Sequence, residues 1–255
     1  MAQATAIRLS GERLTVADVW AVACRGAHAE LSDESRGKMR AARELVERAV
    51  HGSREHTYGV NTGFGRFVNR SIPEELTEEL QLRLLRSHAC GVGDPYPDEI
   101  VRAAMLLRAN ALAKGTSGAR VETVQLLIEL LNRGVLPYVP SRGSVGASGD
   151  LAPLAHLALP LIGRGHVEFR GQVMPGLLAL REVGLEPLTL GATEGLALLN
   201  GTQMMGAIGA LLLADADRLM RTASVAAAMS VEALLGTDVA FAAAYQAARP
   251  HPGQV

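Results

Sequence analysis

From Thr202 to Leu235 the chain carries a long helical pattern of Ala, Leu and Met, which Gly236 interrupts. A stretch of this length with little polar relief is expected to be buried against other helices, including helices of other subunits. The rest of the chain suits the same architecture. Aromatic residues make up only 4%, while Ala and Leu, which favour helix strongly, are abundant. Small side chains also let helices approach closely. The expected fold is mainly α: a long-helix bundle with a smaller irregular N-terminal part that holds the loops.

Local signals place the remaining elements. Ile7-Arg8-Leu9 reads as a short extended start before a turn at Gly11. Thr15 is the expected N-cap of a helix to about Arg25, with Asp18 at the capping-box position that usually takes Glu or Gln. Ser32 to Ser35 caps a second helix through Val50, broken by Gly52 and Ser53. Pro73-Glu74-Glu75 starts a third, since proline suits the first turn and acids suit the helix dipole. Further helices are expected from Pro97 to Ala113, from Ala119 to Asn132 and from Leu151 to Ile162, the last disturbed by Pro160. Leu136 to Pro140 is extended. His166 to Val173 alternates as a small hairpin does, and Leu177 to Val183 and Thr193 to Leu199 are short helical stretches. No internal repeat, low-complexity linker or clean domain boundary shows itself.

Bulk properties exclude several function classes. A net charge of −1 gives no sign of a nucleic-acid partner. Two cysteines, Cys24 and Cys90, argue for a reducing compartment rather than a disulfide framework. No charged n-region followed by an apolar h-region opens the chain, so no signal peptide is expected, and the apolar run from Leu151 to Gly163 is too short to span a bilayer. These features read as a cytoplasmic protein without a membrane partner. The histidines are scattered, with neither H-E-x-x-H nor C-x-x-C, so no metal site is expected. Gly63-Phe64-Gly65 lacks the third glycine of a dinucleotide fingerprint.

The chemistry concentrates in Gly143-Ser144-Val145-Gly146-Ala147-Ser148-Gly149-Asp150-Leu151-Ala152-Pro153-Leu154. Such a cluster alone reads as an ordinary Gly/Ser loop. It misses the G-x-S-x-G elbow of a serine hydrolase, because Asp150 stands where the last glycine belongs. Ala147-Ser148-Gly149 has another possibility. Gly149 offers an unhindered amide nitrogen and tolerates the dihedrals of a tight loop. Closure of that nitrogen on the Ala147 carbonyl carbon gives a five-membered ring. Loss of two waters, one carrying the Ser148 hydroxyl, leaves an exocyclic methylidene, a methylidene-imidazolone. None of the twenty side chains is a strong electrophile, and this ring would supply one without an external cofactor. A helix starting after Asp150 would turn its first N–H groups back toward the same loop.

Val139-Pro140-Ser141-Arg142 running into this loop resembles the cofactor-forming segment of the aromatic amino acid ammonia-lyase and aminomutase family. Three more stretches resemble it in the same order: Tyr58-Gly59-Val60-Asn61-Thr62-Gly63-Phe64-Gly65, Ser87-His88-Ala89-Cys90-Gly91-Val92-Gly93, and Glu194-Gly195-Leu196-Ala197-Leu198-Leu199-Asn200-Gly201-Thr202-Gln203. The likeness runs from about Leu14 to Val255. Relatives are longer, so it implies that residues 1–255 are the N-terminal portion of such a lyase domain. The other half would contribute a tyrosine, an arginine, a phenylalanine and acidic or amide groups. Relatives are also homotetramers with shared active sites, which implies either a homotetramer or a partner that carries the second half.

The resemblance assigns roles residue by residue. Tyr58 becomes the base, although a phenol with a pKa near ~10 needs lowering to act at neutral pH; taken alone it would merely pack its loop. His88 becomes a contact for the substrate side chain and suits a polar ring, imidazole or phenol. Alone it reads as a histidine at a helix end. Asn200, an amide with two donors and an acceptor, would hold the ring's carbonyl or the substrate's carboxylate; alone it is equally a helix cap. Asp150 would orient the loop by accepting backbone N–H bonds, and Gln203 is a weaker second-tier contact. Among the family's activities, Asn61, Gly143-Ser144-Val145-Gly146 and Leu199 to Gln203 favour removal of ammonia from L-histidine to give urocanate. Deamination of tyrosine, or its isomerisation to β-tyrosine, is the alternative. A third reading, of another class, is an inactive or partner-dependent half-chain.

Overall fold

In this computed structural model, residues 6–52, 57, 59, 60, 62, 72, 73 and 76–253 are described. Helix α1 (Val16–Arg25) begins as its sequence predicts. Thr15 Oγ1 accepts the Asp18 N–H at 3.2 Å, and Asp18 Oδ2 accepts the Thr15 N–H at 2.9 Å. The shorter aspartate therefore completes the box in place of Glu. Gly26 ends the helix at φ 67°, the left-handed conformation that favours glycine. Strand β1 (Ile7–Leu9) enters α1, and β2 (Ala29–Leu31) leaves it to pair with β1 in parallel. Nothing in the sequence reading foresaw β2, because three residues are too few for alternation to register.

Helix α2 spans Asp33–Gly52 and α3 Thr77–His88. A turn in which the Leu76 N–H donates to the Pro73 carbonyl oxygen at 3.0 Å leads into the third helix; Glu74 and Glu75 lie outside the described residues. Strand β3 (Val92–Pro95) is a second unforeseen strand. Its Gly93 and Pro95 oppose strand propensity, and only pairing with a distant segment makes it one. Helices α4 (Asp98–Ala113) and α5 (Val121–Asn132) form the centre of the core. Ala103, Ala104, Ala109 and Ala113 of α4 are fully buried, and their small side chains allow close packing on α1 and α5.

Strands β4 (Leu136–Pro137) and β5 (Pro140–Arg142) follow, then α6 (Leu151–Ala158) with a 3-10 turn over Leu159–Ile162 where Pro160 intervenes. The expected hairpin is β6 (His166–Phe169) with β7 (Gln172–Pro175), and β4 joins it on the β6 side. Helices α7 (Gly176–Glu182), α8 (Glu194–Leu199) and α9 (Gln203–Ala233) complete the first compact unit, which ends at Leu211. The architecture is mainly α with long helices, as the sequence pattern predicts.

The second unit, Leu212–Val255, holds the rest of α9, a 3-10 turn at Val239–Phe241 and α10 (Ala243–Ala248). Its apolar side chains are exposed, among them Leu212, Leu219, Met220 and Met229. By length and composition, residues 194–233 would be apolar enough to cross a membrane. Yet Asp215, Asp217, Arg218 and Arg221 form ion pairs midway along α9, charges that are costly in a bilayer interior.

Candidate active site

Loop 143–150 is held at both ends by secondary structure. On one side β5 pairs antiparallel with β3, placing Arg142 opposite Val92. That register brings Gly143 against Gly91. Gly143 has φ +148°, and a Cβ there would stand 3.0 Å from the Gly91 Cα. On the other side α6 begins at Leu151. Its His156 closes the arrangement: Nε2 accepts the Gly91 N–H at 3.0 Å. One imidazole thus pins the segment after His88 to the helix that follows the loop.

Burial holds the His156 imidazole below its ordinary pKa, so Nε2 stays an acceptor. Protonation would set an N–H against the Gly91 N–H. A folded-state value lowered in this way gives stability that is present above the ordinary imidazole value of about 6.5. That stability is lost as pH falls through the lowered value. His156→Gln is therefore expected to flatten the acid limb of the unfolding midpoint below about pH 6.5. An unchanged limb in a denaturant titration series would remove His156 as its source.

The tip of the loop divides sharply. Ala147 and Ser148 are exposed, whereas Gly149 and Asp150 are buried. Gly149 sits at φ +125°, and a Cβ on it would lie 2.6 Å from the Gly201 carbonyl oxygen. Only glycine fits there on both counts. The Asp150 N–H donates to that same Gly201 oxygen at 2.6 Å. The Asp150 carboxylate, 1% exposed, accepts the Ser144 hydroxyl on Oδ1 at 2.9 Å and the Met205 N–H on Oδ2 at 3.0 Å. Its one backbone N–H bond thus comes from the first turn of α9, where free N–H groups favour an anion. It caps a distant helix and leaves its own, α6, without a side-chain cap.

Three other sequence-derived residues, His88, Asn200 and Gln203, are described. His88 closes α3, half-buried, with Nδ1 2.9 Å from the Leu84 carbonyl oxygen and 3.1 Å from Ser87 Oγ. A proton on Nδ1 satisfies the carbonyl and leaves Nε2 as the ring's acceptor. Asn200 caps the C-terminus of α8 and is exposed. Gln203 opens α9, and its Oε1 accepts from Arg108 Nη1 at 2.7 Å. Loop 143–150 therefore meets the segment after His88 through Gly91 and the Asn200–Gln203 segment through Gly201. Tyr58 and Asn61 lie outside the described residues.

Two supporting groups escaped the sequence reading. Arg108 is a cation within the apolar run of α4, 5% exposed, and burial pushes its pKa down to about 10. Its only signal was a charge interrupting an apolar pattern. The second is Glu194, fully buried at the start of α8. It accepts from Arg120 N, Nε and Nη2, from Thr123 Oγ1 at 2.5 Å and from Gly191 N at 2.8 Å. Burial alone would raise its pKa, but the hydrogen bonds and charge of Arg120, with the Thr123 hydroxyl, hold the carboxyl below its ordinary value. This cluster fixes α8 on α5 and so sets where Asn200 and Gly201 emerge.

Among the described residues, no group of three His, Cys, Asp or Glu side chains could hold a metal ion. The loop instead offers an exposed Ala-Ser pair beside a glycine whose missing side chain is required.

The chain is 55% identical over 246 residues to histidine ammonia-lyase of Gloeobacter violaceus, covering 96% of this chain and 48% of that one. It is 52% identical to histidine ammonia-lyase of Symbiobacterium thermophilum. It spans about half the length of these curated relatives. The crystal structure of histidine ammonia-lyase from Trypanosoma cruzi superposes with a TM-score of 0.90 at 42% identity, over 98% of this chain and 49% of that one. Tyrosine aminomutase from Streptomyces globisporus gives 0.91 at 37%, over 98% and 47%. A family model for aromatic amino acid lyases matches residues 14–255, and the chain belongs to that family.

Proposed function

We propose that this chain carries the electrophile-forming half of an ammonia-lyase that converts L-histidine to urocanate and ammonia. The observation that carries the reading is Gly149 packed without a side chain against Gly201, with Ala147 and Ser148 exposed beside it. In the proposed maturation the Gly149 nitrogen bonds to the Ala147 carbonyl carbon, and its proton passes to the carbonyl oxygen. The first water takes that oxygen as hydroxide together with the Ser148 amide proton. The second takes the Ser148 hydroxyl and its Cα proton. The resulting methylidene-imidazolone would supply an electrophile that takes up substrate electrons.

The chain's own residues then have defined tasks. Tyr58 is proposed to accept the β-proton as the bond from Cα to nitrogen breaks and the Cα–Cβ double bond forms. His88 Nε2, left as an acceptor, meets the N–H of the substrate's imidazole. Asn200 binds the substrate carboxylate or the ring carbonyl, and the buried Asp150 keeps the loop on Gly201. A cytoplasmic homotetramer, or assembly with a chain that supplies the remaining half, completes the site. The exposed apolar face of α9, including Leu212, Leu219 and Met220, supports such assembly.

Two readings compete at one position. The His88 acceptor serves a phenol hydroxyl as well as an imidazole, so tyrosine deamination or isomerisation is the second. The identity to histidine ammonia-lyases favours the first. Peptide mass spectrometry across residues 143–164 is expected to find a loss of two waters confined to Ala147-Ser148-Gly149. The full assembly should then release urocanate from L-histidine. Coumarate or β-tyrosine from L-tyrosine would establish the second reading. An unmodified peptide from the full assembly would refute ring formation and leave a non-catalytic relative.

A further inference from the structure

Arg108 is a buried cation that, among the described residues, pairs with no carboxylate. Its Nη1 donates to Gln203 Oε1 at 2.7 Å, and its Nη2 donates to the Ala197 carbonyl oxygen. The Ala197 carbonyl belongs to the last turn of α8, where helical N–H partners run out and a cation is favoured. Gln203 is the first residue of α9. One guanidinium therefore spans the end of one helix and the start of the next. Residues 200–202 form the interval it closes.

The third donor shows what this bridge demands. Arg108 Nε is buried and, among the described residues, has no hydrogen-bond partner. Buried donors are seldom left unmet, so the two Nη contacts fix the side chain even at the expense of Nε. Gly201 leaves no slack: a Cβ there would collide with both Arg108 Nη1 and Gln203 Oε1. On its other side the Gly201 oxygen accepts the Asp150 N–H and backs Gly149.

We infer that Arg108 is a positioning residue for loop 143–150: it holds Gly201 in the place where its carbonyl captures the Asp150 N–H and backs Gly149. The effect on ring closure rests on the proposed function; the effect on the Asp150 amide does not. Lysine cannot replace it, because a single ammonium lacks the planar fork that reaches two acceptors in fixed geometry.

The test uses the full chain with Arg108→Met and Arg108→Lys, the second preserving charge where the first fails to fold. Amide hydrogen exchange is read at Asp150 and, as a control, in α5. Asp150 protection is expected to fall at least tenfold in both variants while α5 protection stays within twofold. Where the parent chain loses two waters, the rate of that loss is expected to fall at least tenfold as well. Asp150 protection within twofold of the parent in folded Arg108→Lys overturns the inference, whether or not a ring forms. A parent chain that never loses water defeats the ring reading only, and the exchange result still decides the role of Arg108.

Discussion

Replacing Ser148 with alanine is expected to abolish loss of the second water from the peptide spanning residues 143–164. In the full assembly it should lower kcat about a thousandfold or more, which corresponds to about 4 kcal/mol of barrier. Alanine has no hydroxyl to leave from Cβ, so no methylidene can form even if the ring closes. Ser148 is exposed and makes none of the bonds that hold the loop, so stability should move by no more than about 0.5 kcal/mol. That separation makes the result diagnostic. Retention of both the two-water loss and turnover by Ser148→Ala would eliminate this serine as the source of the electrophile. Ser144→Ala is the companion variant: it removes a hydroxyl bound to Asp150 but leaves the chemistry of Ser148 intact.

The largest loss of stability is expected from Glu194→Ala, about 3–5 kcal/mol, because removing one partner leaves the others of a buried ionic cluster unmet. Arg120, Thr123 and the Gly191 N–H all depend on this carboxylate. The sign of its pH dependence follows from the lowered folded-state pKa. Its stabilising contribution is complete above the ordinary carboxylate value of about 4.3 and disappears as pH falls through the lowered one. Urea unfolding at pH 7 and pH 3 should show the gap between parent and Glu194→Ala narrowing at the lower pH. A gap that stays constant would place the stabilising interaction in packing rather than in charge. The same variant frees the start of α8, so the Asp150 bond to Gly201 should weaken with it.

What the sequence disclosed and what it withheld differ in a physical way. Thr15 and Asp18 act three residues apart, and the 31-residue α9 repeats one pattern along its length; both are local and periodic. The loop 143–150 was legible for another reason, since clustered small residues constrain chemistry without reference to the rest of the chain. Arg108 with Gln203, and Arg120 with Glu194, are pairs far apart in sequence, and no spacing rule connects them. Strands β2 and β3 likewise exist only through their partners. The His156 bond to Gly91 belongs to the same class, since a histidine within α6 gives no sign of which amide it will meet. Asp150 falls between the two classes: its neighbourhood was evident, but its use as a cap for α9 was not.

The contact between Gly149 and Gly201 also sets an order of events during synthesis. The ribosome releases Gly149 well before the residue that must back it. Gly201 follows about fifty residues later, some 3–10 seconds at ordinary elongation rates of about 5–20 residues per second. Throughout that delay Asp150 has neither the carbonyl that captures its N–H nor the Met205 amide that its carboxylate caps. On the proposed ring closure, the segment would leave the ribosome chemically idle and become competent only when α8 and the first turn of α9 have folded back onto it. Maturation of Ala147-Ser148-Gly149 by that closure would be timed by chain length, and a nascent chain stalled before Gly201 would hold all three residues yet lack the surface that backs them.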